Sequence, residues 1–181
     1  GVSDIVDLSD ALTLAALPTA YLLLIEVMPD NRVVVHVPRA EVGQGITTAM
    51  GIIAAEELDA QLDLVDVVLD DARPELLWNQ LTGGSNTTIS TYTPIRVAAA
   101  VAKAALLDAA AIVLGDTVDN LRARGGVIQA PDGSSVTYGE LATRAASVTT
   151  KAVDVQLKDT SAFRVIGVGH NRVDALEAVT G

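Results

Sequence analysis

Residues 33–59 predict a strand, a tight turn and a helix in direct succession, and they read VVVHVPRAEVGQGITTAMGIIAAEELD. The valine run at Val33–Val35 is typical of a strand buried on both faces. Gly43 and Gly45 permit the positive φ angles that a turn between strand and helix often needs. The helix is predicted over Ile46–Asp59, where apolar side chains recur at spacings of four and three: Ile46, Met50 and Ile53.

Further strands flank this stretch on both sides. Tyr21–Met28 predicts a strand that turns at Pro29-Asp30-Asn31 and pairs with Arg32–Val37 as a hairpin. Leu64–Leu69 predicts another strand after the helix, and Leu8–Leu17 predicts a short amphipathic helix before the hairpin. The order of these elements predicts a small sheet covered by helices.

A long Ala-rich helix is the next large element. Thr93 is its predicted N-cap, Pro94 its first residue, and Gly115 follows its end at Leu114. Because Lys103 and Asp108 are the only charges from residue 97 to its end, the helix is apolar nearly all round. A helix of this kind is expected at the centre of a domain, buried on every side.

Shorter elements are predicted for the remaining chain. A helix over Asp116–Arg124 ends at Gly125-Gly126, and Thr137 and Glu140 have capping-box spacing. The other predicted pieces are a hairpin of Val127–Ala130 and Ser135–Thr137 around Pro131-Asp132-Gly133, a helix through Ala146, and extended segments at Ala152–Leu157 and Phe163–Ile166. Arg172–Gly181 has no evident partner. The predicted class is α/β (α+β), a small mixed sheet with a long buried helix, in which residues 116–166 are a candidate subdomain.

Composition excludes several classes of function. The 181 residues carry a net charge of −11, which opposes binding to nucleic acid or to an anionic membrane. No cysteine is present, so disulfides and thiolate sites are excluded, and the two histidines predict no zinc centre. No membrane span is predicted. Half of the residues are hydrophobic, more than a lone domain of this size needs, which predicts apolar surface that another protein part covers or that drives self-association.

The first candidate site is the turn Gly43-Gln44-Gly45. Glycines let a ligand approach the backbone closely, and the following helix directs its first N–H groups and its positive dipole end at the turn. Gln44 adds a neutral donor and acceptor that suits a heterocycle edge or a metal-bound oxo group. No third glycine and no lysine follow at the spacings of a dinucleotide fingerprint or a P-loop. The alternative is an ordinary tight turn.

The second candidate site is the run Thr82-Gly83-Gly84-Ser85-Asn86-Thr87-Thr88, inside a stretch predicted to be irregular from Ala72 to Thr93. Backbone amides and hydroxyls of such a run could surround an anion or a pterin-like edge. The alternative is a flexible surface loop. Two loops of this kind in one small domain favour a single polyanionic cofactor that uses both.

The carboxylates and histidines predict no catalytic group. Glutamates near the end of a helix face an unfavourable dipole, so the acidic residues are interpreted as a solvated edge: Glu41, Glu56, Glu57, Asp70 and Asp71. His36 and His170 are interpreted as structural, because no nucleophile motif accompanies them. The predicted site therefore contains cofactor-binding residues only, with no metal ligand: Gly43, Gln44, Gly45, Thr82, Gly83, Gly84, Ser85 and Asn86.

Both candidate loops resemble one known family. Residues 38–48, the run Ala54–Asp59, and Thr82–Ser85 followed by Pro94-Ile95-Arg96 and the Ala-rich helix are similar to the molybdenum hydroxylase large subunit of the xanthine dehydrogenase and aldehyde oxidase family. The branch of the isoquinoline 1-oxidoreductase β-subunits is the most similar, and the resemblance extends from about Leu8 to Gly181.

This resemblance implies a cofactor and a reaction. The two loops would clasp a molybdenum cofactor such as molybdopterin cytosine dinucleotide, with Gln44 near the pterin or dithiolene end and amides of Gly43, Gly45, Gly84 and Ser85 on pterin and phosphate. The implied reaction hydroxylates a carbon of an N-heterocycle or aldehyde with water-derived oxygen. Electrons would leave through a partner subunit that carries a [2Fe–2S] cluster.

The chain is much shorter than a typical large subunit, and nothing in it matches the family's late catalytic glutamate. The resemblance therefore implies a partial domain over residues 1–181, which needs the rest of the large subunit and has no turnover alone. The branch often carries a twin-arginine leader, so the resemblance is compatible with export, while the sequence itself leaves the compartment open. The alternative function is a non-enzymatic module that binds an anion or a partner protein.

Overall fold

The computed structural model describes residues 23–72, 74–76, 80–145 and 155–181. The predicted helix at Leu8–Leu17 and the segment before Val155 lie outside this part. In chain order the elements are β1 (Leu24–Val27), β2 (Val33–Val37), α1 (Ile46–Leu58), β3 (Val65–Leu69), α2 (Thr87–Leu114), β4 (Arg122–Arg124), β5 (Val127–Gln129), β6 (Ser135–Thr137), α3 (Tyr138–Ala145) and α4 (Ala175–Thr180). The predicted α/β class is confirmed.

The first sheet has the order β1-β2-β3, antiparallel between β1 and β2 and parallel between β2 and β3. The parallel pair is connected through α1, which confirms the strand, turn and helix predicted at residues 33–59. Burial of β2 alternates, so the prediction of a strand buried on both faces is wrong. Only alternate side chains reach the apolar core that the helices share: Val33, Val35 and Val37.

Helix α2 begins at Thr87, so the predicted start at Thr93 and Pro94 is wrong and Pro94 lies inside the helix. A proline removes one backbone hydrogen bond, the one to the carbonyl of Ser90. In the turn before it the buried Thr91 hydroxyl donates to the Thr87 carbonyl at 2.7 Å, and its oxygen lies 3.0 Å from the sulfur of Met50 on α1. The predicted end is confirmed, with Gly115 in the left-handed conformation.

Helix α2 is buried along one face, not all round as predicted. Its inner face packs on α1, and Arg96 and Lys103 bind acidic residues at the end of α1. In the described part of the chain its outer face exposes large apolar side chains: Ile89, Val97 and Ile112. By length and hydropathy alone α2 could cross a membrane, and in this fold its inner face packs on α1.

The second sheet has the order β4-β5-β6 and is antiparallel. The predicted helix over Asp116–Arg124 is wrong: one 3₁₀ turn at Val118–Asn120 precedes strand β4. Gly125 and Gly126, at φ 60° and 79°, form the two-residue turn of the β4-β5 hairpin instead of a helix stop.

Two predicted features next to this sheet are confirmed. The β5-β6 hairpin is present, and Thr137 and Glu140 form the predicted capping box, in which the Glu140 carboxylate accepts from the Thr137 amide at 2.8 Å. Tyr138 and Leu141 join the same apolar core as β2 and α1. Treating residues 116–166 as a subdomain stays a prediction.

Candidate functional site

The two glycine-bearing loops open onto one cleft. The Gly43–Gly45 turn precedes α1 and the Thr82–Asn86 loop precedes α2, so both helices begin beside a cavity of about 380 Å³. Gln44, Gly45, Ile46 and Ala49 line it from the α1 side, and Thr82, Gly83, Ser85, Thr87 and Thr88 line it from the α2 side. The remaining predicted site residues are chain neighbours of these: Gly43, Gly84 and Asn86. The structure thus brings together the two loops that the sequence singled out.

A direct hydrogen bond joins the loops. The Thr82 hydroxyl donates to the Ala40 carbonyl at 2.7 Å, and Arg39, which is 1% exposed, donates to the Ser90 hydroxyl on α2 at 2.9 Å. Their relative position is therefore fixed by side chains on either side of the cleft.

The Glu41 carboxylate accepts hydrogen bonds from backbone amides of the Gly43–Gly45 turn and of the start of α1. Its Oε1 accepts from the Gly43 amide at 2.8 Å and from the Gly45 amide at 3.0 Å, and its Oε2 accepts from the Thr47 amide at 3.4 Å. Burial raises the pKa of Glu41, but these hydrogen bonds outweigh burial and the net pKa is lowered. Glu41 is therefore the anion at the N-terminus of α1, a role that its interpretation as a solvated acidic residue missed.

Gln44 is exposed, and its side chain folds back on the turn. Its Oε1 accepts from the Val42 amide at 2.7 Å and its Nε2 donates to the Ala40 carbonyl at 2.9 Å. A carboxamide has two N–H groups and two lone pairs on oxygen. Gln44 thus shapes the turn and still has a donor and an acceptor for a ligand in the cleft.

The second loop, Thr82–Asn86, precedes α2 but gives it no side-chain N-cap. Gly84 and Ser85, at φ 62° and 60°, turn the chain, and the Asn86 amide donates to the Gly83 carbonyl at 3.3 Å. Asn86 precedes the helix, but its side chain makes no capping bond. It is 1% exposed, and neither Nδ2 nor Oδ1 has a hydrogen-bond partner in the described part of the chain. An unpartnered buried carboxamide is costly, and Asn86 lies in the chain between Ser85 and Thr87, which line the cleft.

The acidic residues at the end of α1 are buried, so their interpretation as a solvated edge is wrong. Glu56 is 1% exposed and Glu57 is 2% exposed. Glu56 binds Lys158 at 2.9 Å and accepts from three consecutive amides: Arg164, Val165 and Ile166. Glu57 accepts from Arg96 Nε at 2.8 Å and from the Lys158 amide at 2.6 Å.

These bonds also decide the shape of the C-terminal segment. The predicted extended segment at Phe163–Ile166 is a series of bends and turns, because its amides converge on one carboxylate. The prediction that Arg172–Gly181 has no partner is wrong as well. Arg172 Nη1 donates to the Gly43 carbonyl at 2.7 Å, and the Val173 amide donates to the Thr48 hydroxyl at 3.0 Å.

Neither histidine faces the cleft loops. His36 lies 3.0 Å from the Glu26 carboxylate across the β1-β2 pair, and His170 contacts the Val165 carbonyl at 3.0 Å. Within the described ranges, no group of three or more acidic or histidine side chains is arranged to hold a metal ion.

Comparison with known proteins points to one family. The family described as Molybdopterin cofactor-binding domain matches residues 5–176. The chain is 36% identical over 160 residues to a subunit of nicotinate dehydrogenase from Pseudomonas putida, covering 88% of this chain and 13% of that protein. It is also 36% identical over 124 residues to the β-subunit of isoquinoline 1-oxidoreductase from Brevundimonas diminuta, covering 65% of this chain and 16% of that protein.

A solved structure shares the fold. Quinoline 2-oxidoreductase from Pseudomonas putida 86 superposes with a TM-score of 0.53 at 18% identity, over 74% of this chain and 17% of that one. The chain thus spans less than a fifth of the length of the proteins it matches. These findings confirm the resemblance to molybdenum hydroxylase large subunits, and the chain belongs to the Molybdopterin cofactor-binding domain family.

Proposed function

We propose that this chain supplies part of the cofactor cradle of a molybdenum-dependent oxidoreductase. The observation that carries the proposal is that both glycine-bearing loops, each before a helix N-terminus, line the same cleft. The unpartnered carboxamide of Asn86 lies in the chain between two of the lining residues, Ser85 and Thr87. Amides and hydroxyls suit a polyanionic organic cofactor even in a chain of net charge −11, because they act at short range.

The residues present fit such a cofactor, but the two loops suit different parts of it. The amides of Gly43 and Gly45 already bind the Glu41 carboxylate, so the negative groups of the cofactor belong at the α2 end, near Ser85, Asn86 and the threonines of the first helical turn. Gln44 suits the neutral edge of the pterin. When bound, the molybdenum centre would supply two-electron redox chemistry with water as the oxygen source, and these residues hold and orient it.

The complete enzyme would act on a carbon of an N-heterocycle or an aldehyde. Support comes from the two relatives, which are named after nicotinate and isoquinoline. The proposed partners are the remaining domains of the large subunit and a [2Fe–2S] subunit. The isolated chain would not turn over, since the substrate pocket needs those other parts.

The test uses the complete large subunit with its iron–sulfur partner. Changing Gln44 to Ala removes hydrogen bonds at the turn and at the ligand, so we expect molybdenum affinity to fall about tenfold and heterocycle oxidation to fall with it. Molybdenum content and the oxidation rate are measured in parallel.

Gln61→Ala is the matched control. Gln61 is another exposed glutamine that bonds a backbone carbonyl, that of Gly125 at 3.2 Å, away from the cleft. Unchanged molybdenum loading and rate in Gln44→Ala would show that Gln44 has no role in the cofactor site.

A further inference from the structure

The chain from Lys158 to Asp174, here called the C-terminal strap, follows helix α1 from one end to the other. At the C-terminal end of α1, Glu56 and Glu57 bind five groups of the strap: the amides of residues 158, 164, 165 and 166, and the ammonium of Lys158. Because α1 has 13 residues, its two ends are about 20 Å apart. The strap spans this distance and reaches the turn that precedes α1.

At the N-terminal end of α1, Arg172 touches the glycine turn itself. Its Nη1 donates to the Gly43 carbonyl, and a side chain built on Gly45 would lie 3.8 Å from its guanidinium carbon. Asp174 accepts from Arg172 Nε at 2.8 Å and so fixes the direction of the guanidinium. The Val173 amide adds a second bond, to the Thr48 hydroxyl on α1.

Both backbone polar groups of Gly43 are therefore held by charged side chains, one from a near neighbour in the chain and one from a distant residue. The amide donates to Glu41, and the carbonyl accepts from Arg172, 129 residues away. Gly43 has φ 98° and open space around its α-carbon, so no side chain of its own restricts it. A turn with two glycines has many accessible conformations when nothing holds it, and charge-assisted hydrogen bonds are the strongest restraints present.

We propose that Arg172 is a positioning residue: through the strap it holds the Gly43–Gly45 turn in the shape that the cleft presents to a ligand. The strap thereby makes the geometry of the turn depend on contacts at both ends of α1. The consequence for cofactor loading rests on the proposed function, whereas the restraint on the turn does not.

Hydrogen exchange, measured by mass spectrometry on the complete large subunit, tests whether Arg172 restrains the turn. In Arg172→Ala we expect amides of residues 42–48 to exchange about tenfold faster, as befits the loss of one hydrogen bond to a charged group. Amides of the second sheet should keep their rates. Arg172→Lys, which keeps a donor and a charge, should restore part of the protection.

Arg122→Ala is the matched control, since Arg122 is also exposed and donates to backbone carbonyls at 2.8 Å, those of Asp119 and Leu121. It should leave residues 42–48 unchanged. Unchanged exchange at 42–48 in Arg172→Ala would overturn the proposal.

Molybdenum content is measured for the same variants in the complete large subunit with its iron–sulfur partner. This measurement separates the restraint on the turn from the proposed function. Lower loading in Arg172→Ala, with partial recovery in Arg172→Lys, supports both. A wild-type protein that takes up no molybdenum, while Arg172→Ala still speeds exchange at the turn, would refute the function and leave the restraint intact.

Discussion

Glu56 shows how one buried carboxylate connects distant parts of the chain. Burial raises its pKa, but the bond from Lys158 and those from the amides of Val165, Ile166 and Arg164 more than compensate and lower the pKa to about 2. Lys158 lies 102 residues away in the chain, so local sequence gives no sign of the pair. Spacing and helix position therefore predict a solvated glutamate, and only tertiary structure reveals a buried anchor.

Changing Glu56 to Gln should lower the free energy of unfolding at pH 7 by about 3 kcal/mol, since a buried lysine and three amides lose their charged acceptor. The folded pKa lies below the ordinary value of 4.5, so this stabilisation is complete above pH 4.5 and is lost as the pH falls towards 2. Between pH 5 and pH 2 the wild type should lose about 3 kcal/mol that the variant does not lose. Urea titrations at several pH values measure both effects.

Glu140→Gln is the control for this experiment. Glu140 has a lowered pKa in an exposed capping box, first through the Thr137 amide and then through the Thr137 hydroxyl, and water screens it. Its pH dependence should be clearly smaller. An equal acid sensitivity of wild type and Glu56→Gln would contradict the anchoring role.

Among the elements, those defined by local signals were predictable. The β1-β2 hairpin, α1 with its glycine turn, the β5-β6 hairpin and the capping box of α3 all depend on residues close in sequence. Elements that depend on packing were not. Strand β4 was predicted as a helix because Gly125-Gly126 suits a helix stop and a hairpin turn equally well, and pairing with β5 decides between them.

The same distinction applies to the residues around the cleft. That Gln44 and Ser85 belong to candidate binding loops could be predicted, because glycine-rich loops before helices have a recognisable sequence pattern. Glu41 as the acceptor of the turn amides was not, because its role depends on the φ angles of Gly43 and Gly45, which the sequence permits without fixing.

The effect of the proline inside helix α2 on stability can be tested. Pro94 lies within the helix, so the Ser90 carbonyl lacks its amide partner from residue 94. Pro94→Ala should supply that N–H and raise the free energy of unfolding by about 1–2 kcal/mol, the gain being reduced by the greater freedom of the unfolded chain. Thermal unfolding of the intact polypeptide measures the change.

Pro131→Ala is the control with the opposite sign. Pro131 lies in the β5-β6 turn, where the Gly133 amide donates to the Ala130 carbonyl at 3.1 Å and the fixed φ of proline is already correct. Its replacement should lower stability by roughly 0.5–1 kcal/mol. A destabilised Pro94→Ala would mean that the proline is required for the packing of the first turns of α2.

Over the whole isolated chain, exposed apolar surface favours self-association and the net charge opposes it. The outer face of α2 exposes Val97 by 39% and Ile112 by 77%, which favours association of the isolated chain, while the charge of −11 keeps copies apart. Salt screens the repulsion but leaves the apolar contact. Sedimentation of the isolated chain should therefore show association that grows with protein concentration and with ionic strength.

The double change Val97→Asp and Ile112→Asp should keep the chain monomeric at every salt concentration, because it places two charges on the face that would be buried. Val179→Asp is the control: Val179 is 81% exposed on α4, away from that face, and its change should leave association as in the wild type. If the wild type stays monomeric at high salt, the outer face of α2 does not drive association. If Val179→Asp abolishes association as fully as the double change, added charge is the cause and the face of α2 has no special part.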